Sequence, residues 1–208
     1  MGVSMLTGCG SKDAANESAK TDSEAIVENG KLVVGITDFA PMDYKDESGN
    51  WIVFDAELAT EFAKELGVEV EFIEIDWDNK ILELNNKSVD CIWNGMTLTD
   101  EVKSAMDCSN AYCNNAQVVI LNKDVADKYK DVESLKGLTF AVEAGSAGAQ
   151  QAQENGLTYT EISSQANALM EVAAGTSDAA IIDSLMAGAM VGEGTSYENL
   201  TYTVNVIS

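Results

Sequence analysis

The sequence contains no histidine and no arginine, and each absence excludes a class of site. All 12 basic residues of the 208-residue chain are lysines. Without imidazole there is no Ser-His-Asp or Cys-His catalytic arrangement and no histidine ligand for a metal ion. Without a guanidinium group there is no planar, bidentate clamp for a carboxylate. We therefore expect neither a metal site nor a cofactor.

Positive charge is scarce overall, because 35 acidic residues oppose the 12 lysines and give a formal charge of −23. A cationic patch for phosphate groups is lacking, so we expect no nucleic-acid partner. The apolar fraction is an ordinary 46%, so the charge indicates an acidic surface rather than a disordered chain. No apolar run approaches the roughly 18 residues of a membrane-spanning helix. The length suits one sizeable domain or two small lobes.

Cysteine is also sparse, with four residues in the chain. Cys91, Cys108 and Cys113 do not have the spacing of a zinc site. Cys108 and Cys113 can form a disulfide in an oxidising compartment, but buried or half-buried thiols are the favoured interpretation.

The fourth cysteine lies in a segment, Leu6-Thr7-Gly8-Cys9, that resembles a bacterial lipobox, where the cysteine is lipidated. The residues after it are polar and aperiodic. We therefore expect residues 1–29 to be a signal remnant with a flexible tether, and the protein to lie outside the cytoplasm, anchored to the membrane surface through a lipid on Cys9. A signal peptide's charged start and longer apolar core are missing, which we interpret as a gene start lying upstream or miscalled. The alternative is a plain cysteine in a frayed terminus.

From residue 31 onward, β-type apolar runs alternate with helical patterns. Residues 54–66 have apolar side chains at helical spacing, with Asp55 as the candidate N-cap and Gly67 as the C-cap. The other predicted elements of the first block are strands at 31–36, 68–75, 89–93 and 116–121 and a short helix at 81–84. The second block has predicted strands at 138–142, 159–162 and 179–182 and helices ending near 153 and spanning 165–174 and 183–190.

This alternation in two blocks predicts an α/β protein with mainly parallel sheets. The charged segment 122–136 separates the blocks. We therefore assign residues 30–121 to a first lobe, 122–202 to a second lobe, and 203–208 to the start of a return crossover to the first lobe.

The residues that follow each strand are the candidate site, because ligands bind beyond the carboxyl ends of strands in open parallel sheets. These residues include Asp38 and Phe39, the run 94–97, the glycine-rich run 143–148, and Asp183. The helix start at 146–148 offers free backbone N–H groups to a small anion such as a carboxylate, and Asp183 suits an ammonium group. Together these features indicate a site for a zwitterion.

Each feature also has a purely structural interpretation. Asp183, Thr97 and Thr99 can each be helix caps, and any strand-to-helix turn can use glycine. It is their combination and order that favour a binding site.

Residues 31–208 resemble the polar amino-acid-binding proteins of bacterial ABC importers, the extracellular solute-binding family 3. The resemblance is spread over seven segments, which are 31–38, 54–59, 76–78, 94–99, 108–112, 142–148 and 179–183. It implies a periplasmic-binding-protein-like fold of type II, in which two α/β lobes joined by a hinge close on an amino acid.

The resemblance also implies roles for individual residues. In this family a Gly-Met-Thr segment and a Gly-Ser-x-Gly turn hold the α-carboxylate, a late aspartate holds the α-ammonium, and aromatic side chains stack on the ligand. The ligand-binding residues expected here are Asp38, Phe39, Tyr44, Asn94, Gly95, Met96, Thr97, Ser146, Ala147, Gly148 and Asp183. The expected partners are the amino acid and the permease subunits, with the receptor itself a monomer.

The sequence departs from the family in two ways. An arginine usually follows Gly-Met-Thr and clamps the carboxylate, but Val102 occupies that place here. The family's chain also returns to complete the first lobe, whereas residues 200–208 match only the start of that return. We therefore expect the first lobe to lack part of its C-terminal covering and to expose an apolar patch.

These features predict a substrate-binding lipoprotein of an ABC transporter rather than an enzyme. One alternative is a sensor domain, which a neighbouring kinase gene would favour over permease and ATPase genes. Another is an enzyme related to cyclohexadienyl dehydratase, with Glu143, Asp38 and Asp183 as the available general acids or bases.

Overall fold

Two sheets, each covered by helices, organise the chain, and the computed structural model describes residues 20–207. The helices are α1 (Asp22–Asn29), α2 (Phe54–Leu66), α3 (Lys80–Asn85), α4 (Asp100–Ala105), α5 (Lys123–Ala126), α6 (Ala147–Glu154), α7 (Gln165–Ala174) and α8 (Ser184–Met190). The strands are β1 (Lys31–Ile36), β2 (Tyr44–Lys45), β3 (Trp51–Ile52), β4 (Glu69–Glu74), β5 (Cys91–Ile92), β6 (Gln117–Asn122), β7 (Thr139–Glu143), β8 (Thr158–Ile162), β9 (Ala179–Asp183) and β10 (Leu200–Ile207).

The first lobe is built on a parallel three-stranded sheet with the order β4-β1-β5. Its core forms where buried residues of β1 meet one face of α2, as Leu32 and Val34 pack with Ala59 and Ala63. The helical spacing of the apolar residues in 54–66 produces this packing face. Gly67 adopts a left-handed conformation and caps α2, as predicted.

The second lobe is built on a five-stranded sheet with the order β10-β6-β9-β7-β8. Strand β7 pairs in parallel with β8 and β9, whereas β6 is antiparallel to both β9 and β10. The predicted α/β class and most strand positions are therefore confirmed, but the second sheet is mixed.

The predicted lobe boundary at residues 121 and 122 is wrong, because β6 belongs to the second sheet. The segment 122–136 connects two strands of that one sheet and includes α5. Residues 203–207 continue β10 antiparallel to β6 as far as the pairing of Ile207 with Gln117, where β6 begins. The return crossover to the first lobe at 203–208 stays a prediction.

Residues 22–29 form α1, so the predicted flexible tether does not extend to residue 29. Thr21 and Glu24 form a reciprocal capping box at the start of this helix. Ile26 is buried against β1 and fixes the helix on the first lobe. Cys9 and the rest of the lipobox lie outside the described residues.

An apolar groove runs along the first lobe, as predicted. Leu58, Phe62 and Tyr112 line it and are 39%, 46% and 44% exposed. The groove also reaches the edge of the sheet at β5. Within residues 20–207, Cys91, Cys108 and Cys113 are free thiols, and none of the helices has the length and apolar character needed to cross a membrane.

Candidate functional site

A cleft lies between the two lobes. Its volume is about 530 Å³ when the open space at its mouth is included. It opens where β1 and β5 of the first sheet and β7 and β9 of the second sheet end, which is the expected position for a ligand site in α/β sheets. Eight predicted residues line it: Phe39, Asn94, Gly95, Met96, Thr97, Ser146, Ala147 and Asp183.

Three predicted residues do not line this cleft. Asp38 is exposed after β1, and Tyr44 lies in the β2–β3 hairpin. Gly148 is buried beneath the cleft, where a Cβ atom would lie 2.8 Å from the Ile181 carbonyl oxygen. Its lack of a side chain lets α6 pack closely on β9, so its role in the structure is packing.

The N-terminal turn of α6 forms one wall of the cleft. The Ser146 hydroxyl caps the helix by accepting a hydrogen bond from the Ala149 N–H at 3.1 Å. The other N–H groups of the first turn have no partner inside the helix and carry its positive dipole end. This turn, with Ser146 and Ala147 lining the cleft, suits a small anion.

Asp183 lies across from this turn and is 6% exposed. Its carboxylate accepts hydrogen bonds from the side-chain amides of Asn115, Gln117 and Gln165, the one from Gln117 at 2.7 Å. Burial raises its pKa, while the hydrogen bonds from Gln165, Asn115, Gln117 and Thr97 oppose that shift. Asp183 stands at the N-cap position of α8 but its side chain does not cap the helix. The structure therefore excludes the capping interpretation.

Glu143, at the end of β7, is a second buried carboxylate in the cleft and is 7% exposed. Burial and then the negative charge of Asp183 raise its pKa to about 7, against the lowering effects of Gln165 and Lys80. Among residues 20–207, its carboxylate has a single hydrogen bond, from the Gln165 amide at 3.5 Å.

Lys80 is the cation of this cleft and was not predicted to belong to it. It is 6% exposed at the start of α3, and its Nζ donates to the carbonyl oxygens of Gly145 at 2.7 Å and Trp77 at 3.2 Å. Burial lowers its pKa, and the charges of Glu101, Asp78 and Glu143 oppose the shift. Because Gly145 belongs to the second lobe, this lysine bridges the two lobes.

Val102 lines the cleft on α4 and is 4% exposed. Its side chain therefore points an apolar group toward the space where an arginine was expected. Lys80 is the one basic side chain among the lining residues in the described part of the chain.

Hydrogen bonds from the loop after β5 fix the first-lobe wall. The Asn94 side chain both accepts from the Thr37 N–H at 2.8 Å and donates to the Thr37 hydroxyl at 2.9 Å, which joins the ends of β1 and β5. Gly95 approaches Phe39 so closely that a Cβ atom would lie 2.8 Å from the ring. This contact explains why glycine occupies that position.

Asp55 supports the same loop from behind, and its predicted role as the N-cap of α2 is wrong. Val53 occupies the N-cap position, while the Asp55 carboxylate accepts from the Gly95 N–H at 2.8 Å and the Tyr112 hydroxyl at 2.9 Å. The fully buried Asp43 adjoins it, and burial together with the Asp55 charge raises the pKa of Asp43 to about 9. Asp43 is therefore protonated at neutral pH.

Several lining residues were not predicted from the sequence, because they do not directly follow a strand. Trp77 and Lys80 lie in the turn and helix that follow β4, one step further along the chain. Gln165 lies at the start of α7 and reaches back to Asp183. Polar residues at helix starts, such as Lys80 and Gln165, were the available signal. Thr37, which directly follows β1, also lines the cleft. The lining residues that do not directly follow a strand and were missed are Trp77, Lys80, Thr99, Glu101, Gln150 and Gln165.

The chain is similar in sequence and in fold to known amino-acid-binding proteins. Two curated relatives from Bacillus subtilis are the arginine-binding extracellular protein ArtP, 33% identical over 88% of this chain and 69% of its own length, and the ABC transporter glutamine-binding protein GlnH, 32% identical over 94% and 76%. The arginine-bound arginine-binding protein of T. maritima, in truncated form, superposes with a TM-score of 0.81 at 33% identity, covering 89% of this chain and 87% of that one.

A family model also matches residues 32–171, which span both lobes. With the two-lobed α/β fold, the cleft at the strand ends and these relatives, the match confirms a periplasmic-binding-protein fold of type II. The chain belongs to the bacterial extracellular solute-binding proteins, family 3.

Proposed function

We propose that this protein is the solute receptor of an ABC importer, which binds an amino acid or a similar small zwitterion between its lobes and delivers it to the permease. The observation that carries the proposal is that one cleft contains both an anion-binding helix start at Ser146 and Ala147 and the buried Asp183 carboxylate. These two groups match the carboxylate and the ammonium of an amino acid. The relatives named for arginine and glutamine binding support this assignment.

The carboxylate of the ligand is held without an arginine. The N-terminal turn of α6 supplies backbone donors, and Lys80 supplies the cation from the facing lobe. Each of these groups is weaker than a bidentate guanidinium clamp, but closure of the lobes on the ligand would exclude water and strengthen hydrogen bonds to its charged groups.

The receptor acts outside the cytoplasm as a monomer, held at the membrane surface by a lipid on Cys9. The lipobox resemblance of residues 6–9 supports the anchor. Metabolic labelling of the full gene product with a fatty acid tests it, since the label should be lost in Cys9→Ser; label retained in that variant would contradict the anchor.

The protein is not an enzyme on this proposal, although one observation favours an alternative. A pKa of about 7 at the buried Glu143 is the property that a general acid needs. Incubation with cyclic hydroxy-carboxylates and product analysis decides the matter, because dehydration that is lost in Glu143→Gln would establish an enzyme.

A thermal-shift screen against the twenty amino acids and related solutes tests the receptor proposal. A ligand at a hundredfold excess over Kd stabilises the bound state by about 2.7 kcal/mol, which raises the melting temperature measurably. We expect a selective rise with one class of amino acid. If neither an amino acid nor a related solute raises the melting temperature of the folded protein, the proposed function is wrong.

A further inference from the structure

The buried charges of the cleft do not balance. Among the residues that the structure describes, one buried cation of the cleft, Lys80, faces two buried carboxylates, Glu143 and Asp183. Glu101 also lines the cleft but is exposed and remains hydrated. A zwitterionic amino acid has no net charge, so its binding would leave one negative charge buried without a counter-charge. Such a charge is costly in a cleft that closes away from water.

The two carboxylates differ in the number of hydrogen bonds that they accept from the protein. Asp183 accepts hydrogen bonds from three amide side chains. Glu143 accepts one long hydrogen bond within residues 20–207, at 3.5 Å from Gln165. The under-satisfied group is therefore Glu143, and its raised pKa expresses the same cost of burial.

Lys80 does not serve as a paired counter-charge for Glu143. Its Nζ is within hydrogen-bond distance of the carbonyl oxygens of Trp77 and Gly145. The ion pairs of the described residues are all formed by other lysines, on the surface. Lys80 lowers the pKa of Glu143, but no direct contact joins the two groups.

We infer that Glu143 selects a ligand with a second positive charge, so that the solute is an amino acid with a cationic side chain, of the arginine, lysine or ornithine type. This inference rests on the proposed function. The α-carboxylate lies at the start of α6 near Lys80, the α-ammonium lies on Asp183, and the side-chain cation lies on Glu143. The charges of the closed cleft and its ligand then balance.

Glu143 can instead be neutralised by binding a proton. A protonated Glu143 would select a different ligand. A protonated Glu143 is neutral and can donate a hydrogen bond, which would suit an uncharged side chain such as that of glutamine. The groups that face Glu143 are Asp183 on β9, Gln165 on α7 and Lys80 on α3. A bound cation would lower the pKa of Glu143 and release its proton, whereas a neutral ligand would not.

Calorimetric titration at pH 7 separates these possibilities by comparing L-arginine with the near-isosteric, uncharged L-citrulline, and L-lysine with L-norleucine. For at least one pair we expect the cationic member to bind at least tenfold more tightly. Titration in two buffers of different ionisation enthalpy should show proton release with that ligand. Equal or tighter binding of the neutral members would overturn the inference.

Two variants locate the effect. In Glu143→Gln the preference for the cationic member should fall below about threefold and proton release should disappear. Glu161→Gln, an exposed carboxylate on β8, should behave as wild type. A full preference retained in Glu143→Gln would also overturn the inference. The wild-type comparison decides the matter alone if Glu143→Gln fails to fold. Binding of neutral amino acids only would refute this inference and leave the proposed function intact, while binding of none would refute both.

Discussion

At the scale of single residues, the cleft and the loop behind it contain carboxyl groups in three different states. Asp183 is buried and accepts several amide hydrogen bonds, Glu143 is buried with one long hydrogen bond, and Asp43 is fully buried beside Asp55. Their environments, rather than their residue type, set their pKa values. The loop that carries Gly95 depends on Asp55, the neighbour of Asp43, because the Asp55 carboxylate accepts a hydrogen bond from the Gly95 N–H.

The pH dependence of stability follows from Asp43. Its pKa is raised to about 9 in the folded protein, so the folded state keeps a proton that the unfolded chain releases near pH 4. The stabilisation is complete below the unfolded pKa and is lost as the pH rises through the folded one. We expect the free energy of unfolding to fall between pH 5 and pH 8, and Asp43→Asn to reduce that fall by at least about 1 kcal/mol.

Urea unfolding at pH 5, 7 and 8 measures this effect. Asp124→Asn, an exposed residue of α5, is the control and should keep the wild-type pH dependence. The same slope in Asp43→Asn as in the wild type would show that Asp43 does not hold a proton in the fold.

At the scale of elements, hydrophobic periodicity predicted most helices and strands but not their partners. The pattern of 116–121 indicates a buried strand equally well in either sheet, and only the structure shows that β6 pairs with β9 and β10. Helix α1 was missed because it buries one residue, Ile26, although its capping box was visible at Thr21 and Glu24. Eight of eleven predicted binding residues line the cleft because ligands of such sheets bind at strand ends.

A substitution at Gly148 tests whether the close packing of α6 on β9 contributes to stability. In Gly148→Ala the new Cβ atom would lie 2.8 Å from the Ile181 carbonyl oxygen and 3.3 Å from the Gln117 side chain. Since a backbone atom cannot move aside easily, we expect chemical denaturation to show a loss of about 1 to 3 kcal/mol in the free energy of unfolding. Ligand binding should weaken as well, because Gln117 also holds Asp183.

Gly188→Ala is the matched control, as Gly188 lies in helix α8 with open space around its Cβ position. It should stabilise the protein by up to about 1 kcal/mol through helix propensity. If the two variants had the same effect, the close contact under the cleft would not constrain α6.

At the scale of the whole molecule, the two lobes meet across the cleft. Lys80 of the first lobe donates to Gly145 of the second, and Thr97 of the first lobe interacts with Asp183 of the second. Gly145 has a positive φ of 67° and lies so near Asp78 that a Cβ atom would be 2.8 Å from its Cα atom. A ligand seated between the lobes touches groups of both, so its binding favours the closed arrangement.

The central claim is that Asp183 binds the ammonium group of an amino acid in this cleft. Calorimetric titration of wild type and Asp183→Asn with the ligand found by the thermal-shift screen tests it most directly. Removal of one partner from a buried charge pair typically costs 2 kcal/mol or more, so Kd should rise at least about 30-fold in Asp183→Asn. The Asp124→Asn control should leave Kd unchanged. An unaltered Kd in a folded Asp183→Asn protein would contradict the account.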